Sequence, residues 1–205
     1  MDKVKPVLLF LAEGFEDLEA VSILDIMGWT EYRKWVPTVK VVTTGFREQV
    51  HSRFGLTHQI DMLFDHIKTQ DYSSLAIPGG FHSHGFDEAY DERLRELCRQ
   101  FHAQQSWIAT FCVGILPVAE SGILQGVKAT SYPYSSQHDN ISRLKSLGAT
   151  VQKEPLVIDK RIVSCRGPAN SLDVSYALLK ALIGESPCRE VKRLMCRTEC
   201  LSEGM

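Results

Sequence analysis

Short apolar, β-branched runs alternate along this chain with longer segments in which apolar residues recur at helical spacing. Val7–Ala12 reads as a first, buried strand, Val39–Thr43 as a second, Leu75–Ile77 as a third and Trp107–Phe111 as a fourth. Leu156–Ile158 and Ile162–Ser164 flank the Asp159-Lys160 turn and read as a hairpin or two short strands. Glu16–Met27 carries apolar residues at Leu18, Val21, Ile23, Leu24 and Met27, roughly one stripe of a helix. Asp91–Phe101 places Leu94, Leu97, Cys98 and Phe101 on one face, and Val174–Ile183 is apolar enough to lie close against a sheet. Strand followed by helix, repeated, predicts an α/β three-layer sandwich: a mainly parallel sheet with helices on both faces. Functional residues in such sheets collect where strands end and helices begin.

Composition narrows the partners. A chain of 205 residues with 44% hydrophobic and 23% charged residues builds its core without disulfides or structural metal. No repeat or linker divides it, which predicts a single domain over 1–205, with 185–205 as a C-terminal helical extension. A formal net charge of -2 offers no electrostatic footprint for nucleic acid or an anionic membrane. No run approaches the ~18 apolar residues of a membrane span. The run from Val7 stops at Glu13 without a cleavage pattern, so it reads as a strand rather than a signal, and a cytoplasmic location is expected. The six cysteines (Cys98, Cys112, Cys165, Cys188, Cys196 and Cys200) are then expected as thiols.

Candidate chemistry centres on Cys112, which directly follows the apolar strand Trp107–Phe111 and precedes helical residues Leu116, Val118 and Ala119. A residue at such a corner stands above the sheet edge, and the helix N-terminus beneath it favours a thiolate. This is the logic of a nucleophile elbow, with Gly114 allowing close backbone approach. The alternative is a small buried cysteine of no chemical consequence. Pro78-Gly79-Gly80 ends the third strand and exposes backbone N–H groups suited to a developing oxyanion. Glu19, beside Glu16 and Asp17, reads by composition as either a site carboxyl or part of a solvated helix start.

Four segments in order, Glu13–Ala20, Ile77–Gly80, Ala109–Gly114 and Ser164–Pro168, resemble the ThiJ/PfpI family, whose fold is of the class I glutamine amidotransferase-like, flavodoxin-like type. The similarity covers about residues 4–184. It implies that Cys112 is the reactive cysteine and that Glu19 supplies a carboxyl group touching its sulfur, protonated through burial near negative charge. The resemblance also implies that the Gly80 and Val113 N–H groups form the oxyanion pocket. Gly79, Tyr132, Arg166, Gly167 and Pro168 complete the implied pocket, the last three on a loop near a homodimer contact. Arg53 resembles a family arginine near the subunit boundary. No cofactor and no metal are implied.

The pattern also departs from the family. Val113 stands where peptidase-like members carry a histidine, which removes the base a hydrolase needs. A further family histidine falls near Ser131-Tyr132-Pro133, where this chain has Tyr132 and Pro133, and a tyrosine's ordinary pKa of about 10 suits neutral-pH proton transfer poorly. His82 and His84 follow the glycine pair, at the pocket mouth or on a loop surface; a metal reading of the pair lacks a third ligand. His51, His58, His66, His102 and His138 form no pattern. Cys196 and Cys200 stand four residues apart, as a metal or redox pair on a helix or as part of an ordinary amphipathic end. Cys165 is expected near the Cys112 corner, as a resolving thiol or a buried residue.

The resemblance implies a cofactor-independent, cysteine-dependent enzyme acting on a small reactive carbonyl, glyoxalase- or deglycase-like. The alternative is a redox-sensing or stress-response protein using the same sulfur. A peptidase or amidase ranks third because of Val113.

Overall fold

The computed structural model describes residues 4–197. Strands in chain order are β1 (Val7–Phe10), β2 (Val41–Gly45), β3 (Gln49–His51), β4 (Thr57–Gln59), β5 (Met62–Leu63), β6 (Ser74–Ile77), β7 (Trp107–Thr110), β8 (Lys128–Ala129), β9 (Thr150–Val151), β10 (Leu156–Asp159) and β11 (Ile162–Cys165). The helices are α1 (Asp17–Gly28), α2 (Glu92–Ala103), α3 (Ile115–Glu120), α4 (Asn140–Ser146), α5 (Ser171–Ile183) and α6 (Glu185–Leu194). Seven strands form one sheet in the order β10-β11-β7-β6-β1-β2-β5, parallel throughout except for the antiparallel β10–β11 edge pair.

Both faces of this sheet are dry, and that is why its strands are continuous apolar runs. Leu8 and Phe10 of β1, Leu75 and Ile77 of β6 and Ile108 of β7 face α2, α3 and α4. Val7 and Leu9, Ala76 and Ala109 face the opposite way, against α1, α5 and α6. Alternation at period two thus splits one apolar run between two cores. The helices meet them with matching stripes: Leu94, Leu97, Cys98 and Phe101 on α2, and Ala20, Ile23, Ile26 and Met27 on α1. Burying each such aliphatic or aromatic side chain contributes about 1.5–3 kcal/mol.

Several boundaries differ from the sequence reading. The second strand is Val41–Gly45 rather than Val39–Thr43, because Val39 donates its N–H to Thr30 Oγ1 (3.0 Å) and is tied to the short 3-10 turn Trp29–Tyr32 that follows α1. The first strand stops at Phe10, four residues before the chain turns at Gly14 with φ +71°. Helix α6 ends at Leu194, so Cys196 sits beyond it in an exposed turn, and Cys200 lies outside the described residues. Cys188 on α6 is buried, with its sulfur 3.6 Å from the Tyr176 carbonyl oxygen.

The order β2-β1-β6-β7-β11 reverses direction between β1 and β6, and in open sheets the crevice at such a switch point is where ligands bind. Helix α1 follows β1, the Pro78-Gly79-Gly80 loop follows β6, and Cys112 follows β7. All three therefore emerge at the same edge.

Candidate active site

Cys112 stands two residues beyond β7 with φ +52°, in the left-handed region that side chains bearing a Cβ avoid. The turn is fixed from several sides. The Phe111 N–H donates to the Ile77 carbonyl oxygen (3.2 Å), Gly114 N–H to that of Phe111 (2.7 Å), and Ser131 Oγ to that of Cys112 (3.0 Å). The backbone N–H of Cys112 acts to lower the Cys165 thiol, and that of Val113 acts to lower the Cys112 thiol. Cys165 is fully buried and its thiol is pushed up to about 12 by burial, so it lies beside the elbow and supports its backbone.

The elbow does not favour a thiolate in the manner expected from a helix terminus. Cys112 opens a 3-10 turn, Cys112–Gly114, which leads into the six-residue α3. Burial pushes the Cys112 thiol well above its ordinary value, and a Glu19 carboxylate would push it further; the Val113 N–H acts the other way. Burial therefore dominates the electrostatics of this sulfur, and the charge state of Glu19 modulates it.

Glu19 is wholly buried on the first turn of α1. Its Oε2 accepts the Gly79 N–H at 2.7 Å, while Oε1 has no hydrogen-bond partner among the described residues. Burial, reinforced by the neighbouring Glu16 carboxylate, raises its pKa well above the ordinary carboxyl range. The neutral acid then carries its hydrogen on Oε1, since Oε2 already accepts from Gly79. Glu16 caps α1, accepting the Glu19 N–H at 2.8 Å, and its own N–H donates to the Gly79 carbonyl oxygen at 2.9 Å. Gly79 thus lies between the two side chains: a Cβ there would stand 2.8 Å from Cys112 Cβ and 3.0 Å from Glu19 Oε2. The carboxyl and the Cys112 side chain flank one glycine, and no hydrogen bond joins Glu19 to the Cys112 sulfur, where the resemblance implied that the two touch.

A cleft of about 410 Å³ opens over this corner. Gly80, Cys112, Val113, Tyr132 and Pro168 line it. Gly80 pairs with Phe15 in an isolated bridge whose bonds are made by the Phe81 and Glu16 N–H groups, which leaves the Gly80 N–H outside that ladder. The remaining candidates sit behind the lining. Gly167 packs on the Tyr132 ring, and Arg166 reaches the Lys153 carbonyl oxygen (3.3 Å) and stacks over Tyr134 rather than entering the cleft. Arg53 lies over Phe54 and Phe81, two aromatic residues of the cleft wall.

Other residues of the wall are not legible in the chain. Glu16, Phe54, His138 and Asn140 all line the cleft. His138 belongs to no pattern in the sequence, yet its ring centroid is 4.6 Å from that of His82, which also lines the site. No periodicity announces them: Glu16 caps α1, Phe54 lies in the turn between β3 and β4, His138 comes on an irregular loop and Asn140 is the first residue of the short α4. His84 turns to Ser83 Oγ (2.8 Å) while His82 turns to Asp87 (2.6 Å), so the two histidines act apart.

A model of the DJ-1/PfpI family matches residues 5–181. The chain belongs to that family. Among DJ-1/PfpI relatives, it is 27% identical over 93% of its length to protein DJ-1 homolog A of Arabidopsis thaliana, and 24% identical over 80% of its length to a protein named deglycase from Pyrococcus horikoshii. It covers 91% of the latter but only 46% and 38% of the two Arabidopsis relatives, DJ-1 homologs A and B. Among solved structures, Drosophila melanogaster DJ-1beta superposes with a TM-score of 0.81 at 19% identity, over 96% of this chain and all of that one. Toxoplasma gondii DJ-1 in an oxidised form gives 0.80 at 23% identity, again over 96% of this chain and all of the other. These likenesses establish the DJ-1/PfpI, flavodoxin-like fold.

Proposed function

We propose that this protein is a cofactor-independent enzyme that acts on small reactive carbonyls through Cys112. The observation that carries this reading is the unpartnered, buried Oε1 of Glu19, a carboxyl that closes on Gly79 from one side while the side chain of Cys112, which lines the cleft, closes on it from the other. A neutral carboxyl in that position gives its hydrogen to the carbonyl oxygen as sulfur adds to carbon, and the carboxylate so formed takes the proton released by the thiol, which restores the acid and supplies acid and base from one group. Cys112 adds to an aldehyde carbon to give a hemithioacetal, and the Gly80 N–H faces the oxygen that gains charge. The Val113 N–H, next to Cys112 at the elbow, is the second donor to that oxygen. The deglycase name of the Pyrococcus relative agrees with this substrate class.

Methylglyoxal turnover tests the reading. Cys112→Ala is expected to abolish it and Glu19→Gln to lower kcat by about 10²-fold; full activity in Cys112→Ala would sink the proposal. The second reading, a redox sensor, draws on the setting of the cysteines: Cys112 is half-buried and opens on the cleft, Cys98, Cys165 and Cys188 are sealed, and Cys196 is exposed but away from the cleft. Selective oxidation of Cys112 by mild peroxide without carbonyl turnover, read by peptide mass spectrometry, would favour it. The proposal includes a cytoplasmic homodimer. Exposed Leu18 and Val21 on α1 present an apolar face for a second copy, which sedimentation velocity checks directly. Among the described residues, no helix is long and apolar enough to cross a membrane.

A further inference from the structure

The cleft has a second chemical end, built on the loop after β6. His82 lines it, and His82 Nδ1 lies 2.6 Å from Asp87 Oδ1. A carboxylate only accepts, so the ring hydrogen rests on Nδ1 and the neutral imidazole keeps a free lone pair on Nε2. Nε2 is buried and has no hydrogen-bond partner among the described residues. The ring is held in place by Tyr90, stacked at 5.6 Å and 12°, and by the His138 ring at 4.6 Å.

Two more polar atoms here are also unpartnered: the Tyr90 hydroxyl, on the residue stacked against His82, and Oδ1 of Asn140, whose Nδ2 donates to the Tyr132 carbonyl oxygen (3.0 Å). Burial pushes the Tyr90 hydroxyl up to about 12, so it remains a donor. A buried polar atom without a partner costs about 1–3 kcal/mol. An unmatched base on His82 and an unmatched acceptor on Asn140, both residues of the cleft lining, with an unmatched donor on Tyr90 stacked against His82, are suited to a water molecule in transit or to a polar group of substrate.

We propose that His82, oriented by Asp87, is the general base that activates water to release product from Cys112. This rests on the carbonyl reading above. The hemithioacetal of a 2-oxoaldehyde rearranges by moving hydrogen from C1 to C2, giving a 2-hydroxyacyl thioester without an external oxidant. Water then attacks the acyl carbon and its proton passes to His82 Nε2. The C–S bond breaks with its electron pair going to sulfur, and the proton returns from His82 to restore the thiol. The sum is oxoaldehyde plus water to hydroxy acid. This assignment also accounts for a DJ-1/PfpI chain with valine and tyrosine at 113 and 132: the base enters from a different loop.

The test uses the full chain with methylglyoxal, following kcat and KM across pH and trapping covalent adducts by intact-protein mass spectrometry. His82→Gln is expected to lower kcat by about 10²-fold with little change in KM. It should also accumulate a hydroxyacyl adduct on Cys112 that hydroxylamine releases. The groups facing the ring are Asp87 and Tyr90 from its own loop region and His138 from across the cleft, with Arg143 of α4 over Tyr90 and paired to Glu120. Asp87→Asn is the second variant. Its side chain is 74% exposed, so the fold is not at issue, and a loss of about tenfold is expected once the tautomer is no longer fixed. Wild-type turnover in both variants, with no adduct and with Cys112→Ala inactive, overturns the role of His82 alone. Turnover that survives Cys112→Ala overturns the carbonyl reading and this inference with it.

Discussion

Cys112 holds its left-handed backbone where the other four non-glycine residues of positive φ among those described, Gln105, Lys160, Arg161 and Cys196, lie in exposed turns. A Cβ in that region costs about 1–2 kcal/mol. Here the conformation aims a sulfur at the cleft, with backbone N–H groups acting to lower the Cys112 and Cys165 thiols. Removing the thiol separates the two contributions. Cys112→Ala keeps the strained Cβ, whereas Cys112→Gly relieves it. Although glycine adds freedom to the unfolded chain, Cys112→Gly is expected to be the more stable of the two by about 1 kcal/mol. Urea denaturation of both proteins measures this, and an alanine variant equal to or more stable than the glycine variant would show that the turn stores no strain.

At the scale of the element, the turn into α3 depends on close approach rather than on an unusual dihedral. Gly114 has φ -61°, open to any residue, but a Cβ there would stand 2.4 Å from the Ile77 carbonyl oxygen and 2.7 Å from that of Pro78. Both are backbone atoms of the β6 edge and neither yields easily. Gly114→Ala is expected to cost about 1–3 kcal/mol and to shift the elbow, lowering Cys112-dependent turnover as well. Gly28 ends α1 with nothing within 4 Å of its would-be Cβ, so Gly28→Ala serves as the contrast and should stabilise by about 0.5–1 kcal/mol. A thermal melt of the two variants checks both signs. The same distinction explains what could be read beforehand. Strands buried on both faces, such as Val7–Phe10 and Ser74–Ile77, announce themselves as apolar runs, and the glycines and cysteine at their ends mark the site. The β3–β4 hairpin buries only Val50, and α4 only Asn140 and Leu144, so neither leaves a periodic trace. His138 and Asn140 join the cleft because that loop folds back toward the switch point, a tertiary fact that no local pattern encodes. Asp87 fixes the tautomer of His82 from five residues away, inside a run of short 3-10 turns where side-chain direction has no period to betray it.

For the molecule as a whole, the buried acids at the switch point set how stability depends on pH. Glu19 and Glu16 both have carboxyl groups raised above the ordinary 4.5, chiefly by burial. Near pH 4.5 and below, the carboxyls are largely protonated whether the chain is folded or not. As pH rises beyond that value, the unfolded chain releases these protons while the buried groups keep them. The folded state then binds more protons, and stability falls with pH until the folded carboxyls titrate in turn. Asp91, Glu96, Asp139, Glu185 and Glu190 act in the opposite sense. Hydrogen bonds to Arg93, Arg99, Ser142, Lys180 and Arg193 lower them, so their contribution is present above about 3.8–4.5 and is lost as pH falls. These pairs are largely exposed and screened, which makes the acid limb shallow. The raised thiols of Cys112 and Cys165 enter only above the ordinary 9.0 and leave the interval from 5 to 8 untouched. The urea midpoint is therefore expected to be highest in weak acid and to decline toward pH 8. Glu19→Gln keeps an acceptor for the Gly79 N–H and cannot ionise, so it should flatten most of that decline while leaving the acid limb as it was; Glu16 supplies the remaining slope. A wild-type midpoint that climbs steadily from pH 5 to 8, matched by the variant, would mean that Glu19 is ionised at rest. The donor on which the carbonyl chemistry depends would then be missing.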